Sequence, residues 1–490
     1  MRTGLWIPLA MGVVLFGSAC EAQTIRLEAE TGSLLGPDMR AIVSPITGSP
    51  LAADVSGNGY VTGFQTDADE DVLKTVVKTG GLYRVSLGYR ATTRKGYELQ
   101  VNDLRLSGAV PATPEGAFGE EAIGTVELNA GANEITLHKG WGFYDVDYVE
   151  LTPAGPVRPI ARPTSTPSDP QVTAEGRQLL ARLDEAYGKT SMMGVYKDRD
   201  AQYVLDRTGA RPSIMGGDLL SYSPQEVAHG SHPERGAEVE RLIARAGEGY
   251  VITLSWHWCS PSGLLETKEE PWFRGFYTAA TRFDLAKAMA DPDSSDYALL
   301  LRDIDAIAVQ LRKLQDADVP VLWRPLHEAE GGWFWWGAKG PKPFVQLWQI
   351  LYDRLTKTDG IHNLIWVYTS GGDPAWYPGD AYVDVVGIDA YPKDLRDPQG
   401  QLWDTLRTQF GDRKVLAISE FGGVPDIPRM QRMGEFWSYA VSWSDQEGPK
   451  KNSPDELRRI LGSPGLEMLP APAPLADAPE EAAKYRTRER

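Results

Sequence analysis

The run Val321-Leu322-Trp323-Arg324-Pro325-Leu326-His327-Glu328 decides the fold. It has the length of a buried strand, and it ends on a carboxylate. Farther along, Val415-Leu416-Ala417-Ile418-Ser419-Glu420 repeats the arrangement. A charge at the end of an apolar strand costs free energy unless it is paired or put to use, so these glutamates carry more information than a surface Glu. The bland alternative is that the two serve only in structural pairing.

Around them, apolar strand candidates begin at Met192, Ser213, Tyr250, Val319, Leu364, Val383, Lys414 and Phe436, most of them separated by helical patterns. In one such pattern Leu300, Ile304, Ile307, Leu311 and Leu314 form a single apolar stripe for packing on a sheet. The segment from Ser191 to Trp443 has close to the length, about 250 residues, of a (β/α)8 TIM barrel, in which active groups sit at the carboxyl ends of the strands. A doubly wound sheet is the alternative, but no Gly-rich phosphate loop supports it. Strand ends then bring Asp218, Trp256, His257, Trp258, His327, Glu328, Tyr391, Glu420 and Trp443 to one face.

The ends of the fourth and seventh strands face each other across a barrel mouth. Two carboxyl groups about 5–5.5 Å apart there would suit glycoside hydrolysis with retention, one acid protonating the leaving oxygen while the other attacks. Sugar rings stack on aromatics, and all but two of the 15 tryptophans lie between Trp256 and Trp443. Trp333-Phe334-Trp335-Trp336 follows Glu328, and four successive aromatics cannot all point inward, so some should line the cleft. A zinc protease helix would need a second His at position 331, which is Gly331, and no Gly-x-Ser-x-Gly elbow occurs. A purely binding protein on a degenerate barrel would have lost a carboxylate, and both are present.

The stretch from Trp323 through Glu328-Ala329-Glu330-Gly331-Gly332-Trp333 to Gly337, with Ile418-Ser419-Glu420-Phe421-Gly422, resembles the signatures of glycoside hydrolase family 26. That family is chiefly β-mannanases with a retaining mechanism. The resemblance implies Glu328 as acid/base, Glu420 as nucleophile, and His257, His327, Trp333, Tyr391 and Trp443 around the attacked sugar. Glu330 stands where many members have Asn or Asp. The expected activity is endo-β-1,4-mannanase, needing no cofactor for catalysis. A β-1,3-xylanase or mixed-linkage β-glucanase on the same barrel is the alternative, and the long segment from Ser260 to Thr281 is the expected specificity loop.

Residues 24–152 alternate apolar and polar side chains in short runs between Gly and Asn turns, as in Tyr83-Arg84-Val85-Ser86-Leu87-Gly88-Tyr89. That predicts an all-β, jelly-roll-like sandwich with no carboxylate pair arranged for chemistry. Leu27-Glu28-Ala29-Glu30, Gly57-Asn58-Gly59-Tyr60-Val61 and Asp145-Val146-Asp147-Tyr148-Val149 resemble carbohydrate-binding module family 35. The resemblance implies that Glu28, Glu30 and Asp147 hold a structural calcium, an ion suited to hard oxygen ligands. Trp141 and Tyr144, beside Gly140 and Gly142, are the expected ligand contacts.

The rest sets boundaries. Arg2, the apolar run Leu5–Phe16 and the small residues after it read as an export signal over residues 1–22, which makes the protein secreted or periplasmic. Cys20 after Ala19 resembles a lipoprotein site that would anchor it to the outer membrane, and membrane contact is expected only through that route. Six prolines between Pro153 and Pro170 predict a semi-rigid linker, residues 171–469 hold the barrel, and 470–490 have almost no large apolar residues to bury and should be a disordered tail. A monomer is expected. The net charge of −17 repels phosphate backbones and argues against nucleic acid as a partner.

Overall fold

The computed structural model describes residues 23–44, 54–230 and 237–470. The export segment with Cys20 and the tail after Pro470 lie outside the described residues.

Alternation in the N-terminal module does what its period demands. In the strand Gly81–Arg90 the side chains of Tyr83, Val85, Leu87 and Tyr89 are buried, and those of their neighbours face outward. This strand pairs antiparallel with Asp145–Pro153 on one side and Gly119–Leu128 on the other, in a sheet completed by Gly59–Thr62, Arg40–Val43 and Ile25–Glu28. A second antiparallel sheet runs in the order Ser33–Leu35, Glu70–Val77, Gly131–Lys139, Lys95–Val101, Leu104–Val110. Val85, Leu87, Val149 and Leu151 of the first sheet share one core with Leu99, Ile135 and Leu137 of the second.

In the second half, eight parallel strands close into a barrel: Ser191–Val195, Ile214–Asp218, Val251–Trp256, Val321–Pro325, Leu364–Thr369, Val385–Ala390, Val415–Phe421 and Tyr439–Ser442. Closure is through the first strand, where Gly194 pairs with Ile214 of the second and with Val441 of the eighth. Each strand is buried on both faces, hence its nearly continuous apolar sequence. The eighth starts at Tyr439, later than Phe436. The helix Ser295–Asp316 is capped by Ser294, whose hydroxyl accepts from Tyr297 N at 3.2 Å, and buries the stripe from Leu300 to Leu314. Glycine matters at Gly216, where a Cβ would lie 2.6 Å from the Tyr196 ring and displace a side chain that reaches the barrel centre.

The Pro-rich stretch expected as a semi-rigid linker lies along the barrel. Residues 154–173 hold no helix or strand, yet Ser165 N and Oγ donate to Asp184 at 3.0 and 2.6 Å, and Ile160 packs on the barrel core. Proline keeps the chain extended, and Ser165 and Ser168 tie it to the barrel, the latter through its N to Asp384 at 2.5 Å. The sandwich also docks directly. Arg84 pairs with Asp404 at 2.6 Å, Ser107 N donates to Asp397 at 2.8 Å, and Gln401 exchanges two hydrogen bonds with the backbone of Ala109. Met433, closing the helix Ile427–Met433, belongs to the sandwich core, and a Cβ on Gly124 would meet the backbone of Gly400 at 3.1 Å.

Candidate active site

Arg324 sits at the centre of the mouth. It points inward from the fourth strand, is fully buried, and donates to Tyr196 Oη at 2.9 Å. Its guanidinium also pairs with Asp389 on the sixth strand and Glu420 on the seventh. A buried cation of this kind is stable only because carboxylates face it. One guanidinium set against two carboxylates fixes the position of Glu420, whose other oxygen accepts from the Tyr391 hydroxyl.

Glu328 faces this group from the end of the fourth strand. Leu326 and Glu328 both adopt left-handed backbone, with φ of 51° and 55°. Non-glycine residues are strained there, and such strain concentrates at functional sites. The turn aims the Glu328 carboxylate at Trp333, whose Nε1 donates to it at 2.8 Å. Burial pushes the Glu328 carboxyl up and the charge of Glu420 adds to that, while the Trp333 hydrogen bond works against both.

Behind the two glutamates lies a chain of polar contacts. Asp218 accepts from Ser255 Oγ and Leu220 N, both at 2.7 Å, and holds His257 Nδ1 at 2.5 Å. His257 Nε2 meets His327 Nε2 at 3.2 Å. Burial works against a charged His257, but Asp218 overrides it and raises the imidazole, whereas burial, Arg324 and His257 together push His327 well down. The partners require His257 to donate through both nitrogens when charged, with neutral His327 accepting.

The structure brings the sequence candidates of the barrel together. Tyr391 and Trp333 are partly exposed at the mouth, and Trp443 packs edge-on against Tyr196 with centroids 4.5 Å apart. His257 lies between Trp443 and His327, and His327 is buried against Phe334 and Trp336. Of the four successive aromatics only Trp333 is exposed. Trp335 donates to Trp258 O and Trp336 to His327 O, so these two brace the strained turn. The expected specificity loop clamps the same turn, with Thr278 N donating to Trp333 O at 2.7 Å. Sequence reasoning missed Asp389 and Tyr196 and assigned no role to Arg324. Arg324 and Asp389 were detectable as charges inside otherwise apolar strands.

In the module, Trp141 is 54% exposed, as a ligand-stacking residue requires. Tyr144 is not available to a ligand. It is buried, stacks on Phe64 at 5.4 Å and donates to His138 O at 3.1 Å, because the glycines turn the chain inward after Trp141. Glu28, Glu30 and Asp147 converge around the 56–58 turn. Ser56 Oγ donates to Glu28 at 2.6 Å, Ser56 N to Asp147 at 3.0 Å, and Asn58 N to Glu30 Oε1 at 2.8 Å. Glu30 Oε2 and both Asp71 oxygens are buried without a hydrogen-bond partner, and burial with the charge of Glu30 pushes Asp71 up to about 7. Among the described residues no three carboxylate, His or Cys side chains already stand in an arrangement that could hold a metal ion. The orphaned oxygens and all-oxygen donor set nevertheless fit a hard cation, given small closure.

Comparisons with known proteins agree with this geometry. Residues 40–154 match Carbohydrate binding module (family 35). The chain is 39% identical over 459 residues to a mannan endo-1,4-beta-mannosidase of Thermothelomyces thermophilus, covering 93% of this chain and 92% of that protein. It is 28% identical to mannan endo-1,4-beta-mannosidase B of a Piromyces species, covering 90% of this chain and 75% of that one. The crystal structure of the Podospora anserina GH26-CBM35 β-(1,4)-mannanase superposes with a TM-score of 0.64 and 36% identity, over 91% of this chain and 97% of that one. Residues 168–464, the barrel and its flanks, match Glycosyl hydrolase family 26, and the chain belongs to that family.

Proposed function

We propose that this chain is an endo-β-1,4-mannanase that cleaves mannan, glucomannan or galactomannan with retention, using Glu420 as nucleophile and Glu328 as acid/base. The observation that carries this reading is the unequal treatment of two facing carboxyls. Burial and Glu420 raise Glu328, favouring the protonated form that an acid needs, while Arg324 and Tyr391 anchor Glu420. The relatives named above supply the sugar.

Glu328 gives its proton to the glycosidic oxygen as Glu420 attacks the anomeric carbon, so the C–O bond breaks and a glycosyl ester forms. Esterification removes the charge on Glu420 that had helped to raise Glu328. Glu328 can then take a proton from water, which attacks the same carbon and frees Glu420. The His257 and Tyr391 side chains border the sugar, with Trp333 and Trp443 supplying aromatic faces.

Rescue by azide separates the two roles. Glu328→Ala should still attack a dinitrophenyl β-mannoside, whose leaving group needs no proton, and azide should restore turnover with a β-mannosyl azide product. Glu420→Ala should lose nearly all activity, because no ester can form. Inverted azide from Glu328→Ala with retained azide from Glu420→Ala would reverse the assignment.

Three further parts of the reading rest on sequence. Glu28, Glu30 and Asp147, with Asp71 beside them, would hold a calcium ion that stabilises the module and takes no part in hydrolysis. EDTA should lower the melting temperature and leave the rate below that temperature unchanged; a rate loss at constant fold would refute the assignment. The protein is exported as a monomer, its signal either removed near Ala19 or Ala22 or replaced by acylation of Cys20; the mass of the mature N-terminus separates the two, and sedimentation tests the monomer.

A further inference from the structure

The described residues include five exposed large aromatics: Trp141, Phe143, Phe273, Trp333 and Tyr391. Trp333 and Tyr391 belong to the cleft, one bonded to Glu328 and the other to Glu420. Trp141 belongs to the module, and a chain of contacts leads from it toward the same mouth. A Cβ on Gly96 would lie 2.2 Å from the Trp141 ring, so the ring covers the outer face of the strand Lys95–Val101 at that position. Two residues on, and therefore on the same face about 7 Å away, Glu98 pairs at 2.6 Å with Lys393. Lys393 follows Tyr391 by two residues in the loop after the sixth barrel strand.

A second line of contacts reaches the same place from the fourth strand. The guanidinium of Arg94, exposed on the turn before Lys95, lies 5.6 Å from the centre of the Trp141 ring. Its positive charge acts on Glu330, two residues beyond Glu328, against the burial that pushes the Glu330 carboxyl up. Glu330 in turn fixes the loop after the fifth strand, accepting from Gly371 N and from Asp373 N, the latter at 3.3 Å. The module is thus seated on the loop after the sixth barrel strand, with the charge of Arg94 felt at Glu330 and with a tryptophan face and a guanidinium turned to solvent at the seam.

We propose that Trp141 and Arg94 form a distal subsite of the barrel's own cleft, so that one mannan chain runs from Glu328 and Glu420 across the Lys393–Glu98 seam onto the module. The proposal rests on the mannanase reading above. The indole supplies an apolar face for a sugar ring, and Arg94 supplies donors for its hydroxyls. A module of this kind lengthens the cleft instead of anchoring the enzyme at a separate point.

The test uses the full chain with Trp141→Ala and Arg94→Ala, both at exposed positions, with melting curves to establish that each folds. On soluble linear mannan, KM should rise about three- to tenfold at unchanged kcat, the equivalent of one lost aromatic contact. On a dinitrophenyl β-mannobioside, which is short, neither constant should move. Unchanged KM on soluble mannan with weaker retention on insoluble mannan would overturn the proposal in favour of a separate anchor. An equal loss on the short substrate would overturn it in favour of a disturbed cleft. If the unmodified enzyme releases nothing from mannan, the mannanase reading fails, and this proposal with it.

Discussion

Arg324→Met removes the guanidinium that stands between Asp389 and Glu420 and leaves an unbranched side chain in its place. Two carboxylates then face each other in a buried site with Glu328 close by. Breaking a buried ion pair by deleting one partner costs about 3–5 kcal/mol. For a domain of this size a kcal/mol moves Tm by about 2 °C, so a fall of about 6–10 °C is expected. The sign with pH follows from linkage. Burial already raises the Asp389 carboxyl, with Arg324 opposing it; without Arg324 its folded-state pKa rises further above its unfolded value, so the folded protein holds a proton that the unfolded chain has released. The deficit relative to the parent is therefore smallest in acid and grows as pH rises through the new folded pKa. Activity should fall as well. Glu420 loses the guanidinium that positions it for attack, so kcat/KM drops about 10²- to 10³-fold. Arg324→Lys, which restores charge without the two-pronged geometry, should bring back much of the stability while recovering only part of the rate. Melting curves and pH–rate profiles of the three proteins check this. If Arg324→Met melts close to the parent at every pH and keeps its rate, Arg324 does not hold the nucleophile in the way described.

Two other substitutions probe the neighbouring contacts. Trp333→Phe deletes the hydrogen bond that lowers Glu328, so the alkaline limb, where the acid loses its proton, should move to higher pH; a shift to lower pH would contradict the geometry. Tyr144→Ala should destabilise the module by about 3–5 kcal/mol as a buried aromatic does, visible as a lower Tm, and an unchanged Tm with weaker mannan binding would restore Tyr144 as a ligand contact.

The barrel was legible because its strands are buried on both faces and so appear as apolar runs with a polar residue at the end. Glu328 and Glu420 stood out for the same reason. Asp389 carries the same signal after Val385-Val386-Gly387-Ile388, but its role is not legible from it, because its partner Arg324 lies 65 positions earlier. Which aromatics in Trp333-Phe334-Trp335-Trp336 face the cleft depends on the left-handed turn at Leu326 and Glu328, and no periodicity encodes that turn. Tyr144 was misjudged for a similar cause: flanking glycines announce a loop, but the side of the loop on which a ring falls is decided by Phe64, eighty positions away. The linker was legible only in part, since composition reports stiffness and not the surface along which a stiff segment lies.

The backbone contact between Gly124 and Gly400 makes the two halves of this chain poor material for shuffling. Gly400 opens the helix Gly400–Phe410, and a Cβ added there would meet Gly124 from the other side at 3.1 Å. A foreign sandwich grafted at Pro153 would bring a side chain to this point and be held away from the barrel, opening a gap where Ser107 and Ala109 now bond Asp397 and Gln401. Chimeras that retain both halves' cooperation would have to carry the strand Gly119–Leu128 and the helix Gly400–Phe410 as a matched pair, inherited together or not at all.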